Sequence, residues 1–320
     1  MRIISLEEVK TVLPSLDLIP AIEAGFVAYS QGRAVVPPIG ELLLAKGEVH
    51  IKYGYLREDE YYVIKVASGF YENPKLGLPS SNGLMLLFSQ QTGELESILL
   101  DEGHLTDVRT AVAGAIAAKY LAPKNVERIG IVGTGTQARL QLQYLKQVTT
   151  CRQVLAWGRG RPQLQRYRQD AEPHGFAVET TRDAGGILRT CNLVVTATPA
   201  TAPLLAVADL RPGTHITAVG ADTPEKQELD SAILAKADVV VADSIAQCLE
   251  RGEIHKAIQA GHLTRGALVE LGDVIAGRQV GRTSEDQITV ADLTGVAVQD
   301  IKVTCAVFEA LTPGPSGTRS

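Results

Sequence analysis

The stretch Ile129-Gly130-Ile131-Val132-Gly133-Thr134-Gly135-Thr136-Gln137-Ala138 decides the fold. A short apolar run, readable as a buried strand, meets two closely spaced glycines. A helix with Ala138, Leu142, Leu145 and Val148 on one face follows. Gly133 permits the tight turn, Gly135 lets the backbone approach a pyrophosphate, and Ala138 allows close helix–sheet packing. The start of that helix offers N–H groups and the positive end of its dipole to phosphates. A lone glycine fingerprint is weak. Here strand, helix and a following strand (153–157) stand in order, which favours a dinucleotide site over a mere glycine-rich turn.

Outward from this motif the rhythm stays strand, helix, strand. Candidate strands are 126–132, 153–157, 193–197, 215–219 and 239–242, nearly continuous in apolar character, as parallel strands covered on both faces are. This predicts a doubly wound α/β domain. Before residue 120 the pattern differs. A helix carrying Ile19, Ile22, Phe26 and Tyr29 precedes short runs at 42–45, 49–53, 61–67, 84–88 and 97–100, separated by Gly, Pro and acidic turns, as antiparallel strands are. An α+β domain over 1–118 is therefore expected, joined by an Ala-rich helix at 111–121 to a dinucleotide domain over 119–299. Residues 300–312 form a last helix that could return to the first domain, and 313–320 read as a flexible tail.

The 320 residues are 45% hydrophobic and 21% charged, with a net charge of −5. No apolar run approaches the roughly 20 residues that span a bilayer, and Lys and Arg form no block, so neither a membrane nor nucleic acid is an expected partner. The start is acidic at Glu7-Glu8, unlike a signal peptide. Cys151, Cys191, Cys248 and Cys305 make no Cys-x-x-Cys pair, and the six histidines show no ligand spacing. No metal site and no disulfide framework is indicated, and a cytoplasmic setting is expected.

The second strand of such a domain normally ends in an acid that binds the ribose 2′-hydroxyl. Here it reads Trp157-Gly158-Arg159-Gly160-Arg161. A guanidinium suits a 2′-phosphate, so NADP(H) is favoured and NAD(H) accepted; the alternative is a solvated surface arginine. Thr196-Ala197-Thr198-Pro199 and Val219-Gly220-Ala221-Asp222 end two further strands at the edge where ligands bind. Asp222 alone would pass for a turn or capping acid. Lys65, within a strand apolar on both faces, should meet an anion or snorkel to solvent. Arg109, set among apolar residues, has Asp107 or Asp101 as an ordinary partner.

Taken together, these motifs resemble the ornithine cyclodeaminase/mu-crystallin family. The resemblance runs from the N-terminal helix to Val307. It rests on Pro37-Pro38, Gly69 to Pro74 with Gly77-Leu78, Leu105-Thr-Asp-Val-Arg109-Thr110-Ala111, the glycine motif, Gly220-Ala-Asp222-Thr-Pro-Glu-Lys226-Gln-Glu-Leu229, and Asp292-Leu-Thr-Gly295-Val. It implies a Rossmann domain plus a dimerising substrate domain, hence a homodimer, acting on a small amino or imino acid with a nicotinamide cofactor. By motif match Lys65 and Arg109 would hold the substrate carboxylate, with Lys65 and Asp222 the catalytic pair and Asp222 the acid/base or iminium-stabilising group. Thr110 and Gly295 would lie by the nicotinamide. Two departures bear on the substrate. Many members have an arginine directly after the Pro-Pro pair, where this chain has Ile39, and His50 with Lys52 stands where the ornithine enzyme places a glutamate.

The leading expectation is NAD(P)H-dependent reduction of a small α-imino acid, reversible as amino-acid dehydrogenation. The runner-up is a cyclodeaminase with bound NAD, and a non-enzyme alternative is an NADPH-linked ligand-binding protein. If the chain turns at Glu58-Asp59, Lys52 falls opposite Lys65, and two like charges across a strand pair require something negative between them. That favours a dicarboxylic imino acid such as iminosuccinate. The plainer alternative is a different register, or Lys52 turned to solvent beside Glu48 or Glu60.

Overall fold

The computed structural model describes residues 1–312; the tail read as flexible, 313–320, lies outside them. The chain divides into two units, one of Met1–Arg109 with the segment from Val296 onward, the other of Thr110–Gly295. The division falls inside a helix that crosses the boundary, rather than after residue 118.

The first unit is built on a seven-stranded sheet. Its elements are β1 (Arg2–Ser5), α1 (Leu6–Val12), α2 (Leu18–Ser30), β2 (Ala34–Val35), β3 (Gly40–Leu44), β4 (Gly47–Leu56), β5 (Tyr61–Gly69), β6 (Ser81–Ser89) and β7 (Leu95–Leu100). The strand order is β1-β7-β6-β5-β4-β2, with β3 beside the first half of β4. All pairs are antiparallel except β1 with β7. The β4–β5 turn carries Glu58 at φ 72°, and the register places Lys52 opposite Lys65. On the far side Lys65 faces Met85, which is fully buried.

The helix α3 (His104–Leu121) starts seven residues before the predicted 111, because the Asp101 carboxylate accepts from Leu105 N at 2.8 Å. In the second unit the chain continues through β8 (Ile129–Val132), α4 (Thr136–Leu145), β9 (Gln153–Trp157), α5 (Arg161–Ala171), β10 (Ala177–Thr181), α6 (Gly185–Thr190), β11 (Leu193–Thr196), β12 (Thr201–Leu205), β13 (His215–Ala218), β14 (Gln227–Leu229), α7 (Ser231–Lys236), β15 (Val239–Ala242), α8 (Ile245–Cys248), α9 (Gly252–Gln259), β16 (Leu268–Glu270), α10 (Leu271–Ile275) and β17 (Thr289–Asp292). Eight parallel strands run in the order β10-β9-β8-β11-β13-β17-β15-β16, a doubly wound sheet whose direction of winding reverses between β8 and β11. Ligands of such sheets bind outside the carboxyl ends of the strands at that reversal.

Two predicted bounds are corrected. The strand expected from 126 begins at Ile129, because the Asn192 side chain, not a neighbouring strand, takes Glu127 N at 2.9 Å. Val148 lies beyond α4, in turns that close on Leu145. The segment after Gly295 forms α11 (Ala297–Leu311), which belongs to the first unit and packs on α2, β4 and β5.

Candidate functional site

In the first unit a cluster of charge is buried where β4, β5, α3 and α11 meet. Lys65 is 1% exposed, Lys52 7% and Arg109 5%. The Asp300 carboxylate lies among them. Lys65 Nζ stands 3.1–3.2 Å from its two oxygens, and Arg109 Nε donates to it at 2.9 Å. Arg109 Nη1 also donates to Gln299 Oε1 at 3.2 Å. Burial, reinforced by Arg109, pushes the Lys65 ammonium down to about 7, with Asp300 opposing the shift. For Asp300 burial acts upward, but Arg109, Lys65 and Lys52 together hold its carboxyl below the usual range.

Lys52 is thus buried rather than turned to solvent, and its charge reaches Asp300 as well as Lys65. The ordinary partners considered for Arg109, Asp107 and Asp101, give way to Asp300, an acid 191 residues away in sequence. His50, two residues before Lys52 and therefore on the same face of β4, meets Glu41 Oε1 at 2.9 Å.

In the second unit the glycine motif builds a phosphate cradle. Gly133 adopts φ 123°, where a side chain would be strained, and a Cβ there would stand 2.7 Å from Ala197 O. Gly135 caps α4 without a side-chain hydrogen bond, and nothing lies within 4 Å of where its Cβ would be. Open space above an uncapped helix start is what a pyrophosphate requires. Thr134 contributes its carbonyl, which accepts from Arg139. Ala138 is fully buried, and its carbonyl accepts from Tyr167 Oη at 3.0 Å. Thr136 and Gln137 open α4, and Gln141 Nε2 ties that helix to Thr110 O at 3.0 Å. A Cβ at Gly114 would collide with Gln141, so a glycine there lets α3 and α4 approach.

At the next strand end Trp157 Nε1 donates to Arg182 O at 3.1 Å, and a Cβ on Gly158 would stand 2.8 Å from Thr134. Arg159 is exposed. The ends of β11 and β13 are joined by one carboxylate, Glu228, which accepts from Thr196, Thr198 and Gly220. Val219 N donates to Thr196 O at 3.0 Å. Asp222 caps no helix; its carboxylate binds Lys226 Nζ at 2.7 Å, and its carbonyl accepts from Arg251 at 3.3 Å. Gly295, at φ 81°, donates its N–H to Asp243 at 2.7 Å. The residues present therefore suit a dinucleotide along this edge: open glycines for the pyrophosphate, a cationic end of β9 for the ribose, and loops after β11 and β13 held in place by Glu228.

The family model of the ornithine cyclodeaminase/mu-crystallin family matches residues 2–314. The chain belongs to this family. Among its relatives is an uncharacterized cyclodeaminase, y4tK, of Sinorhizobium fredii, 42% identical over 99% of this chain and 98% of that protein. An archaeal alanine dehydrogenase dimer with bound NAD superposes at a TM-score of 0.91, with 35% identity over 99% of this chain and 97% of that one. The iminosuccinate reductase of Paracoccus denitrificans, in complex with NAD+, gives 0.89 and 30% over 97% and 96%.

Several residues of this family member escape a sequence reading. In the sequence Asp300 marks only the start of a helix, because nothing local tells which cations it meets. Glu228 and Lys226 lie inside the Gly220–Leu229 motif, but their partners come from the ends of two strands, β11 and β13. Among the histidines, His215 is a satisfied core residue, held between Thr289 and Thr217 hydroxyls at 2.8 and 2.9 Å and pushed down to about 3 by burial and by Arg282.

Proposed function

We propose that this protein is an NAD(P)-dependent oxidoreductase that reduces a small α-imino acid to the amino acid, with a dicarboxylic substrate such as iminosuccinate favoured. The observation that carries the reading is the convergence of Lys65 and Arg109 on a carboxylate. Asp300 already occupies the geometry of a carboxylate between two cations. An ammonium has three donors and a guanidinium five, so the pair has the capacity to hold a substrate carboxylate as well. Holding that group fixes Cα for transfer and removes its orientational freedom from the barrier. Lys52, facing Lys65 across the strand pair, adds the charge that a second carboxylate would offset.

The chemistry that the dinucleotide supplies is hydride transfer. Asp222 gives or shares a proton at the imine nitrogen, and a cationic nitrogen makes Cα the better hydride acceptor. Lys226, bound to Asp222, keeps that carboxylate oriented. Arg159 stands where an acid would bind a 2′-hydroxyl, so we infer NADPH as the favoured form, with NADH accepted.

The test follows absorbance of added NADPH or NADH with iminosuccinate (from oxaloacetate plus ammonia), pyruvate plus ammonia or methylamine, and ornithine. Stoichiometric oxidation of the reduced dinucleotide with an imino acid is expected. Ammonia release from ornithine without net dinucleotide change would replace this reading with a cyclodeaminase, and neither change would leave a binding protein. For the dinucleotide, Arg159→Asp should lower NADPH affinity by about tenfold to a hundredfold, the worth of one charge-assisted contact.

A further inference from the structure

Glu228 has no part in the chemistry described, yet its carboxylate ties together two loops at the sheet edge. It is wholly buried, and all four of its donors are neutral. Its Oε2 accepts from Thr196 Oγ1 at 2.7 Å and from Gly220 N at 3.0 Å. Its Oε1 accepts from Thr198 N at 2.7 Å and from Thr198 Oγ1 at 2.8 Å. The two backbone N–H groups come from different loops, one after β11 and one after β13, and each uses a different oxygen. Only a carboxylate offers two acceptor oxygens; a glutamine offers one. Gly220 is held so closely that a Cβ would stand 2.5 Å from Glu228 Oε2 and 2.3 Å from Thr198 O.

Burying a carboxylate among neutral donors is costly, and an apolar residue would fill the same space at less cost. The acid is therefore explained by what its two oxygens hold. We propose that Glu228 is a positioning residue of the dinucleotide site, its ionised carboxylate setting the spacing of the loops that end β11 and β13. This rests on the dinucleotide reading of the second unit.

The surroundings make the device sensitive to pH. Burial pushes the Glu228 carboxyl up to about 7 against the pull of its four donors. From α9, Glu253 faces it and accepts from Glu228 N at 2.6 Å and Leu229 N at 3.2 Å. Burial, and then the Glu228 charge, push Glu253 up to about 8. Behind Glu253 on β17 lies Asp292, itself raised by burial and by Glu253. Just before its own strand is Lys226, bound to Asp222, two residues after Gly220. The end of β11 contributes only neutral donors, two hydroxyls and one backbone N–H. When Glu228 gains a proton, one oxygen becomes a donor, and one loop loses its full acceptor.

The experiment titrates NADH into the cofactor-free full-length protein and follows its fluorescence across pH. Wild-type affinity should weaken by about fivefold as pH falls through about 7, the worth of one hydrogen bond. Glu228→Gln should bind with that weaker affinity at every pH. Thr198→Val removes one donor to the ionised form, so the inflection should move to higher pH; this arm decides the matter if the glutamine variant does not fold. A role confined to core stability would lower the melting temperature but leave the pH profile of binding in place. A wild-type profile without inflection, or variants that keep the wild-type profile, would overturn the proposal while leaving the dinucleotide reading intact. Absence of NADH binding by wild type would overturn both.

Discussion

Lys65 carries a prediction that follows from its burial. An ordinary lysine titrates near 10.5, whereas this one is pushed down to about 7. The sign is therefore that of a cation lost as pH rises: below about 7 the ammonium is charged and can hold a carboxylate, above it the neutral amine cannot. KM for the imino acid should rise as pH increases through that value, and Lys65→Arg, charged throughout, should flatten the profile. A wild-type KM without pH dependence would mean that Lys65 serves Asp300 alone. Asp222 is tested at the same scale. Asp222→Asn keeps the shape and removes the proton donor, so kcat should fall by about 10²–10⁴-fold with little change in dinucleotide Kd. Near-normal turnover would reduce Asp222 to a partner for Lys226.

At the scale of elements, the β4–β5 hairpin sets which charges face one another. The turn at Glu58-Asp59 was readable because acids bounded two strand-like runs, and a hairpin's register follows from its turn. A turn there puts Lys52 opposite Lys65, and the observed pairing is the same. The Rossmann strands were legible from composition: β8, β9, β11 and β15 are mostly apolar and buried, and β13, though it carries His215 and Thr217, is buried at all four residues. β10 was not, because it lies at the sheet's end and only Val178 of its five residues is buried. Asp300 was illegible as a site residue because its partners lie on two strands and a helix, the nearest of them 191 residues away, and a sequence gives no distance across such a gap. If Lys52 holds a second carboxylate, Lys52→Met should lower the preference for iminosuccinate over pyruvate plus ammonia by about tenfold to a hundredfold in kcat/KM. An unchanged ratio would leave Lys52 as part of the Asp300 cluster only.

At the scale of the whole molecule, β3 poses a problem that a second copy would solve. It pairs with β4 on one side, and its three leucines are exposed on both faces of the strand: Leu42 at 53%, Leu43 at 74% and Leu44 at 51%. Tyr53 and Tyr55 on β4 are exposed too. Proteins ordinarily blunt an edge strand with charge, proline or a bulge, and a run of exposed leucines there invites association. The alanine dehydrogenase that this chain resembles is a dimer. We propose from this exposed edge a homodimer that covers β3, measurable by sedimentation equilibrium. In a two-fold interface each residue is met twice, so Leu43→Lys, even at about 1.4 kcal/mol per copy, should raise the dimer Kd by about two orders of magnitude. The same substitution should leave NADH binding by the second unit unaltered, since β3 belongs wholly to the first. A wild-type protein that sediments as a monomer, or a Leu43→Lys variant that dimerises as tightly, would show that the leucines of β3 are covered by something other than a second copy.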